Sequence, residues 1–388
     1  MCAAMARRVG AGWASPLLVA LLVITCGQGR TTLLHVRASA SRVVRMSAAP
    51  KLANPPVINI APLFAARSAG EPLDGPTVAR IRTACAAWGF FYVTGHGVAP
   101  DLVKRFYAEK AKFFALPAGT KGRVRRSAQN SKGWYDDELT KNKRDWKEGF
   151  DLGAQDGLLD GQGLDGFNQW PDAAFGVPLF EPACREYFGA TERVAQVLTR
   201  AMSQGLGMPP DHFDREFDWH TSYLRLNYYP VCPEPEAHRC ISPHSDAGAV
   251  TVLSQSAVQS LQVEHDGEWH DVPPVAGTFV INTGDVMQVW SNGLYRAPVH
   301  RVIAQKHLER YSSPFFYNPN YATDYAPIAS TVSAERPARY RPINWGRFRM
   351  ARFAGDYADV GAETQISDFE IGQLSDGELV PVPEVMSP

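Results

Sequence analysis

Two hydrophobic rhythms divide this chain. Before residue 205 the clear one is helical: Val78, Ile81, Cys85 and Trp88 fall on one helix face, with Asp74 and Thr77 placed as caps at its start. The run GFFYVTGHGV (89–98) follows as a strand leading into a glycine-bounded turn. DLVKRFYAEKAKFFALP reads as a second helix stopped by Pro117, and Tyr187, Val194, Leu198 and Ala201 mark a long third one. Between them, residues 119–150 are polar and basic, with acids interleaved (Asp136, Asp137, Glu138, Asp145, Glu148), which is the pattern of a solvated loop. From about residue 222 the rhythm changes. SYLRLNYYP, AVTVLSQ, SLQVEHDGEWHDV, TFVINTG, DVMQVWSNG, HRVIAQ and RYSSPFFYNP are short strand-like runs separated by Gly, Asn, Asp or Pro. Such spacing predicts an all-β barrel or jelly roll. WGRFRMARFAGDY, near the C-terminus, reads as helix again.

Composition narrows the class without naming a function. The chain has 388 residues, 45% hydrophobic and 20% charged, as in soluble globular proteins of one large or two modest domains. A net charge of -1 gives no global reason to expect nucleic acid or an anionic membrane as partner. The expected partner is a small molecule, and the expected state is a monomer. None of the six cysteines forms a C-x-x-C pair, which argues against a zinc ribbon or thioredoxin-like site and for free thiols.

The first fifty residues differ from the rest. They hold no Asp or Glu but carry Arg7, Arg8, Arg30, Arg37, Arg42 and Arg45. Arg7 and Arg8 precede PLLVALLVITCG, an apolar run short for a membrane span, and together these read as a secretory signal peptide. RTTLLHVRASASRVVRMSAAP then has the Arg/Ser/Ala-rich, acid-free composition of a transit peptide. A signal followed by a transit segment resembles the bipartite plastid leader of algae with complex plastids. The alternatives are the ER or secretory route, and a cytoplasmic product if translation starts at Met46. The expected division is a leader over 1–50, a helical and strand region over 51–215, a jelly-roll core over 216–330 and a helical extension over 331–388, with no stable membrane span in the mature protein.

The chemistry centres on ISPHSDAGAVTVLSQ, residues 241–255. In an extended chain, positions i and i+2 share a side, so His244 and Asp246 can reach one ion. His300, in APVHRVIAQ on another expected strand, supplies a third ligand. Two histidines and one carboxylate on one face of an ion, with the other positions open, is the facial arrangement of non-haem Fe(II) oxygenases, although zinc hydrolases use similar ligands. Farther along, Arg310 and Ser312 again stand at i and i+2. An arginine takes a carboxylate through two hydrogen bonds and a serine adds a hydroxyl, as a dicarboxylate such as 2-oxoglutarate requires.

These motifs resemble the 2-oxoglutarate/iron(II)-dependent dioxygenases of the isopenicillin N synthase-like group. PHSDAG, GDVMQVWSNGLYRAPVHRV and RYSSPFFYNP correspond to that group's H-x-D, H and R-x-S motifs, and LRLNYYP to the strand whose Asn and second Tyr approach the co-substrate. WGFFYVTGHGV and DWKEGFDLG resemble its N-terminal region. The resemblance implies a mainly β fold with flanking helices around a double-stranded β-helix (jelly-roll) core. It implies Fe(II) on His244, Asp246 and His300, and 2-oxoglutarate on Arg310, Ser312 and Tyr229 with Asn227 nearby. Dioxygen is the oxidant and ascorbate a possible reductant. The implied reaction is hydroxylation or desaturation of a small organic metabolite, with release of succinate and CO2. Asp246 also argues against the halogenase variant of this chemistry, which lacks the carboxylate.

Two alternatives stay open. One is an oxidase of the same fold that does not use 2-oxoglutarate, as in isopenicillin N synthase or aminocyclopropane-carboxylate oxidase. The other is a non-catalytic ligand sensor. Phe316 shares strand parity with Arg310 and is a candidate for the substrate pocket, as are Tyr135 and Phe150 from the variable region, with Trp134 beside them. His265 and His270 flank a DGEW turn and read as surface residues, and His96 as structural.

Overall fold

The computed structural model describes residues 54–66, 70–127, 129–140, 143–154, 166–357, 361 and 363–371. The expected leader lies outside the described residues. Along the chain, β1 (Val57–Asn59) precedes helix α1 (Gly75–Ala87). Asp74 caps α1 by accepting the Thr77 N–H at 2.9 Å, and Val78, Ile81 and Cys85 are buried, as their spacing predicts. β2 (Phe90–Thr94) ends at Gly95, whose φ of 63° and close neighbour Asn59 Oδ1 leave no room for a side chain. Helices α2 (Pro100–Phe114) and α3 (Ala118–Lys121) flank Pro117.

The stretch expected to be a solvated loop is instead structured. It forms β3 (Gly133–Tyr135), β4 (Leu139–Thr140), β5 (Lys143–Arg144) and β6 (Glu148–Gly153). Several of its interleaved charges are buried partners, while Asp137, Lys143 and Arg144 stay exposed. Glu138 meets Arg126 at 3.3 Å, Lys147 at 2.5 Å and Arg225 at 3.0 Å, and Asp145 meets Lys147 at 3.2 Å. Composition does not separate a solvated mixture of charges from a paired and buried one.

The long helix α4 (Phe180–Gly205) buries Tyr187, Val194, Leu198 and Ala201. Then come β7 (Tyr223–Tyr229), β8 (Arg239–His244), β9 (Val250–Gln255), the hairpin β10 (Leu261–His265) and β11 (Glu268–Asp271), and β12 (Phe279–Thr283). The hairpin turns through Asp266 and Gly267, both at positive φ as a two-residue I′ turn requires. His265 and His270 are not plain surface residues: their rings pack on Trp88, stacked at 3.8 Å and edge-on at 5.1 Å.

DVMQVW, expected as strand, is helix α5 (Asp285–Trp290). A short apolar run fits either state by periodicity alone. Here the Asp285 and Val286 N–H groups donate to Asp246 O (2.8 Å) and Gly248 O (3.1 Å), which turns the chain out of the ladder. β13 (His300–Ile303), β14 (Arg310–Tyr317), the short pair β15 (Asp324–Tyr325) and β16 (Ile343–Asn344), and helix α6 (Trp345–Tyr357) complete the chain order.

The strands make a double-stranded β-helix, or jelly roll. The large sheet runs β1-β2-β12-β9-β14-β7-β6-β3 and the small one β11-β10-β13-β8. The N-terminal region thus supplies four strands to the large sheet. Alternation then sorts side chains. On β14, Arg310, Ser312, Pro314 and Phe316 line a cavity, while Phe315 on the opposite face packs edge-on against Phe188 of α4 at 4.9 Å. Among the described residues, no helix is long and apolar enough to cross a membrane. Cys85, Cys184, Cys232 and Cys240 are buried free thiols.

Candidate functional site

The cavity is bounded by β7, β9 and β14 on one side and by β8, β10 and β13 on the other. His244, the last residue of β8, and His300, the first of β13, are direct cross-strand partners. Asp246 lies just beyond the end of β8, so the extended i and i+2 geometry expected for the pair stops at His244. The three side chains still converge. Asp246 Oδ1 stands 3.6 Å from His244 Nε2 and 3.6 Å from His300 Nε2, and the three ligand atoms lie within 4.8 Å of one another.

Each side chain is held from behind. The Nδ1 atoms face backbone carbonyls, His244 toward Ser242 O at 2.8 Å and His300 toward Pro298 O at 3.2 Å, which leaves both Nε2 atoms turned to Asp246. The other carboxylate oxygen of Asp246 accepts from Thr251 Oγ1 (2.5 Å) and Asn282 Nδ2 (2.7 Å). Burial works to raise the Asp246 pKa, but His300, His244 and these two hydrogen bonds outweigh it and hold the carboxyl below its ordinary range. Burial, aided by neighbouring His300, pushes His244 down to about 3, so its imidazole is neutral. Two imidazoles and one carboxylate are a donor set suited to a divalent transition metal.

A second centre sits deeper in the same cavity. Arg310, 1% exposed, pairs in register with Tyr229, and Ser312 with Asn227. Arg310 Nη2 donates to Gln255 Oε1 at 3.0 Å, and its guanidinium lies 4.9 Å from the centre of the Tyr229 ring. Its Nε and Nη1 are buried without a hydrogen-bond partner, as is Asn227 Oδ1. The Tyr229 and Ser312 hydroxyls are 3.2 Å apart. Among the described residues no carboxylate lies within salt-bridge distance of Arg310. A buried guanidinium with two unmatched N–H groups is costly unless an anion completes it. A carboxylate-bearing ligand has the charge and the acceptor pair to do so.

Of the expected pocket residues, Phe316 lines the cavity and stacks on Tyr223 at 4.6 Å. Phe150 and Tyr135 do not line it. Phe150 pairs with Leu226, whose parity is opposite to that of Arg225 and Asn227, and packs edge-on against Phe113 (5.1 Å) and Phe180 (5.2 Å). Trp134 pairs with Phe150 and is buried beside it. Tyr135 has cavity parity but sits on the edge strand β3, beneath Arg126 at 3.6 Å. His96 is structural: its Nδ1 accepts the Val98 N–H and its ring stacks on Phe279 at 4.3 Å.

Several cavity residues escape a motif reading. Arg225 is the exception, since Arg225, Asn227 and Tyr229 alternate along one strand face. Thr251 and Asn282 carry no sequence signal, because only the β12–β9 pairing of Asn282 with Thr251 brings them together behind Asp246. Arg349 and Arg352 also line the cavity, from α6.

Comparison with known proteins gives a consistent picture. Residues 220–319 match the model of the 2OG-Fe(II) oxygenase superfamily, and residues 55–173 match that of the non-haem dioxygenase in morphine synthesis N-terminal region. Jasmonate-induced oxygenase 2 of Arabidopsis thaliana is 32% identical over 340 residues, 86% of this chain and 88% of that protein. Gibberellin 20 oxidase 2 of Oryza sativa subsp. japonica is 32% identical over 294 residues, 74% of each chain. A solved structure of JOX2 in complex with 2OG, Fe and JA aligns with a TM-score of 0.69 at 30% identity, covering 86% of this chain and 94% of that one. A full-length Neurospora crassa protein, solved in complex with alpha-KG and thymine, aligns with a TM-score of 0.69 at 26% identity, covering 78% and 97%.

Proposed function

The chain belongs to the 2OG-Fe(II) oxygenase superfamily, and from that premise we propose that His244, Asp246 and His300 hold its iron and that Arg310, Ser312, Tyr229 and Asn227 seat its 2-oxoglutarate. The protein is a 2-oxoglutarate-dependent oxygenase of small organic metabolites. Bound iron supplies the dioxygen chemistry that couples decarboxylation of 2-oxoglutarate to succinate with hydroxylation or desaturation of a substrate C–H bond.

The chain's own residues bind, orient and exclude water. Arg310 takes the far carboxylate of 2-oxoglutarate through the N–H groups that lack a partner, while Gln255 fixes the guanidinium plane. Ser312 adds a hydroxyl donor. Thr251 and Asn282 occupy one oxygen of Asp246, so the other faces the two imidazoles. Phe90, Leu253, Leu261 and Val302 make the surrounding wall apolar and help keep bulk water out. The observation that carries this reading is the buried, uncompensated guanidinium of Arg310 in the same cavity as the His/Asp/His cluster.

The test is 2-oxoglutarate turnover to succinate by protein loaded with Fe(II), compared with Asp246→Ala. The variant should fold and lose turnover. Full activity in Asp246→Ala with iron present would contradict the metal assignment. We also propose that the protein works as a monomer. Light scattering of the purified protein checks this.

A further inference from the structure

A buried amine that neither proposed centre uses lies behind the strand that carries Arg310. Helices α2 and α4 run antiparallel there: Phe106 stacks on Tyr187 at 3.9 Å and, two turns on, Phe113 stacks on Phe180 at 4.6 Å. Lys110 stands on the same face of α2 between those rings and is fully buried. Its Nζ donates to Ser313 Oγ at 2.8 Å and lies 3.7 Å from the centre of the Tyr107 ring, with Phe106 at 5.2 Å and Tyr311 at 5.6 Å. Ser313 follows Ser312 on β14 and, by alternation, faces the other way. Arg310 and Lys110 therefore approach one strand from its two sides.

Among the described residues no carboxylate lies within salt-bridge distance of Lys110. From α2, Tyr107 and Glu109 flank it, and the Glu109 carboxylate is taken by Lys112 at 2.7 Å. Helix α4 contributes Cys184 and Tyr187, and β14 contributes Tyr311 and, across the strand, Arg310. Burial holds the Cys184 thiol and the Tyr187 and Tyr311 hydroxyls protonated and pushes Tyr107 up to about 12. No uncompensated negative charge faces the amine. Burial, with the Arg310 charge adding to it, drives the Lys110 pKa well below the ordinary lysine value.

Resting on the proposed seating of 2-oxoglutarate at Arg310, we infer that Lys110 is a positioning residue of that seat: its amine is uncharged while the seat is empty and takes up a proton from solvent when the co-substrate fills it. An empty seat leaves the Arg310 charge uncompensated, and a second cation behind the same strand is disfavoured in a low-dielectric interior. A carboxylate on Arg310 cancels that repulsion. The ammonium then sits on the Tyr107 face and the Ser313 hydroxyl, and adds its charge to the field that holds the dianion. The step adds one proton to the Nζ lone pair and changes no other bond.

The experiment titrates 2-oxoglutarate calorimetrically into full-length protein loaded anaerobically with Fe(II). Buffers of differing ionisation enthalpy, at pH values from about 6 to 9, report the protons taken up on binding. The ligand is fully ionised throughout, and iron-bound imidazoles do not titrate. Wild type should take up at least about half a proton more than Lys110→Gln at the pH of greatest uptake. Uptake means that protons favour the complex, so wild-type affinity should fall as pH rises, by up to about tenfold per pH unit, while Lys110→Gln stays flatter. Lys110→Gln keeps a donor for Ser313, so a merely structural lysine would leave proton uptake equal in the two proteins. Lys110→Met should lose the uptake as well. Equal uptake in wild type and both variants at every pH overturns the inference. If neither variant folds, the magnetic resonance spectrum of wild type with isotope-labelled lysine and Zn(II) in place of iron decides. One neutral amine signal that becomes an ammonium on adding 2-oxoglutarate supports the inference, and its absence or constancy overturns it. Binding of 2-oxoglutarate no tighter than to Arg310→Met defeats the proposed seat, whereas Arg310-dependent binding without Lys110-dependent uptake defeats only this inference.

Discussion

Replacing Arg310 by methionine should have opposite consequences for binding and for stability. In the proposed complex the guanidinium gives two charge-assisted hydrogen bonds, worth about 1.5–3 kcal/mol each. Their loss corresponds to about 10²- to 10⁴-fold in affinity at 1.4 kcal/mol per tenfold. Arg310→Lys keeps the charge but loses the planar fork, so a loss of about tenfold to 150-fold is expected. The ligand-free protein should respond differently. Methionine removes the 3.0 Å bond to Gln255 but also removes a buried charge with two unmatched N–H groups. Those effects oppose each other at about 1–3 kcal/mol each, so stability should stay within about 1 kcal/mol of wild type or rise above it. An arginine held in buried ion pairs, such as Arg225, would instead cost about 3–5 kcal/mol when truncated. Anaerobic calorimetric titration of 2-oxoglutarate gives the affinity, and urea unfolding of the metal-free protein gives the stability. Affinity within about threefold of wild type, or destabilisation beyond about 3 kcal/mol, would refute the assignment of Arg310 as an anion seat awaiting its ligand.

The support behind Asp246 should matter nearly as much as the ligands: Asn282→Ala should weaken Fe(II) binding by about 10- to 100-fold in a metal titration while circular dichroism stays unchanged. Asp145 is pushed up to about 6, by burial against the pull of Lys147. A carboxyl raised above its unfolded value holds a proton in the folded state that the unfolded chain has lost. Stability from this group therefore falls as pH rises from about 4 to about 6, and Asp145→Asn should flatten that part of the urea-midpoint profile. The leader proposal predicts that residues 1–50 carry a fluorescent reporter into the plastid of an alga with complex plastids, and that removing residues 1–28 leaves it in the cytosol. Plastid signal surviving that deletion, or retention in the ER by the full leader, would contradict the two-step route.

The motif-bearing strands are legible because their chemistry and their two-residue period coincide. Arg310, Ser312 and Phe316 are assigned to one face of β14 by parity alone, and all three line the cavity. Parity also explains one error: Phe150 pairs with Leu226 and so faces away from Arg225 and Asn227. Tyr135 fails for another reason, since parity cannot tell an edge strand from a central one. The buried network of Arg126, Glu138, Asp145, Lys147 and Arg225 is hidden in the sequence because interleaved charges look alike whether solvated or paired. α5 reads as strand because six apolar-rich residues carry too little periodicity to separate the two states. Arg349 and Arg352 are unreadable as site residues because only the docking of α6 turns them to the cavity.

One cavity is proposed to hold a metal on His244, Asp246 and His300 and a 2-oxoglutarate carboxylate on Arg310. A crystal structure of the protein grown anaerobically with Fe(II) and 2-oxoglutarate, with anomalous data at the iron edge, tests it most directly. The expected result is a single strong anomalous peak bonded to His244 Nε2, His300 Nε2 and an Asp246 carboxylate oxygen, with the far carboxylate of 2-oxoglutarate on the Arg310 guanidinium and beside the Ser312 hydroxyl. An iron peak away from these three side chains, or 2-oxoglutarate bound with Arg310 still unpaired, would contradict it.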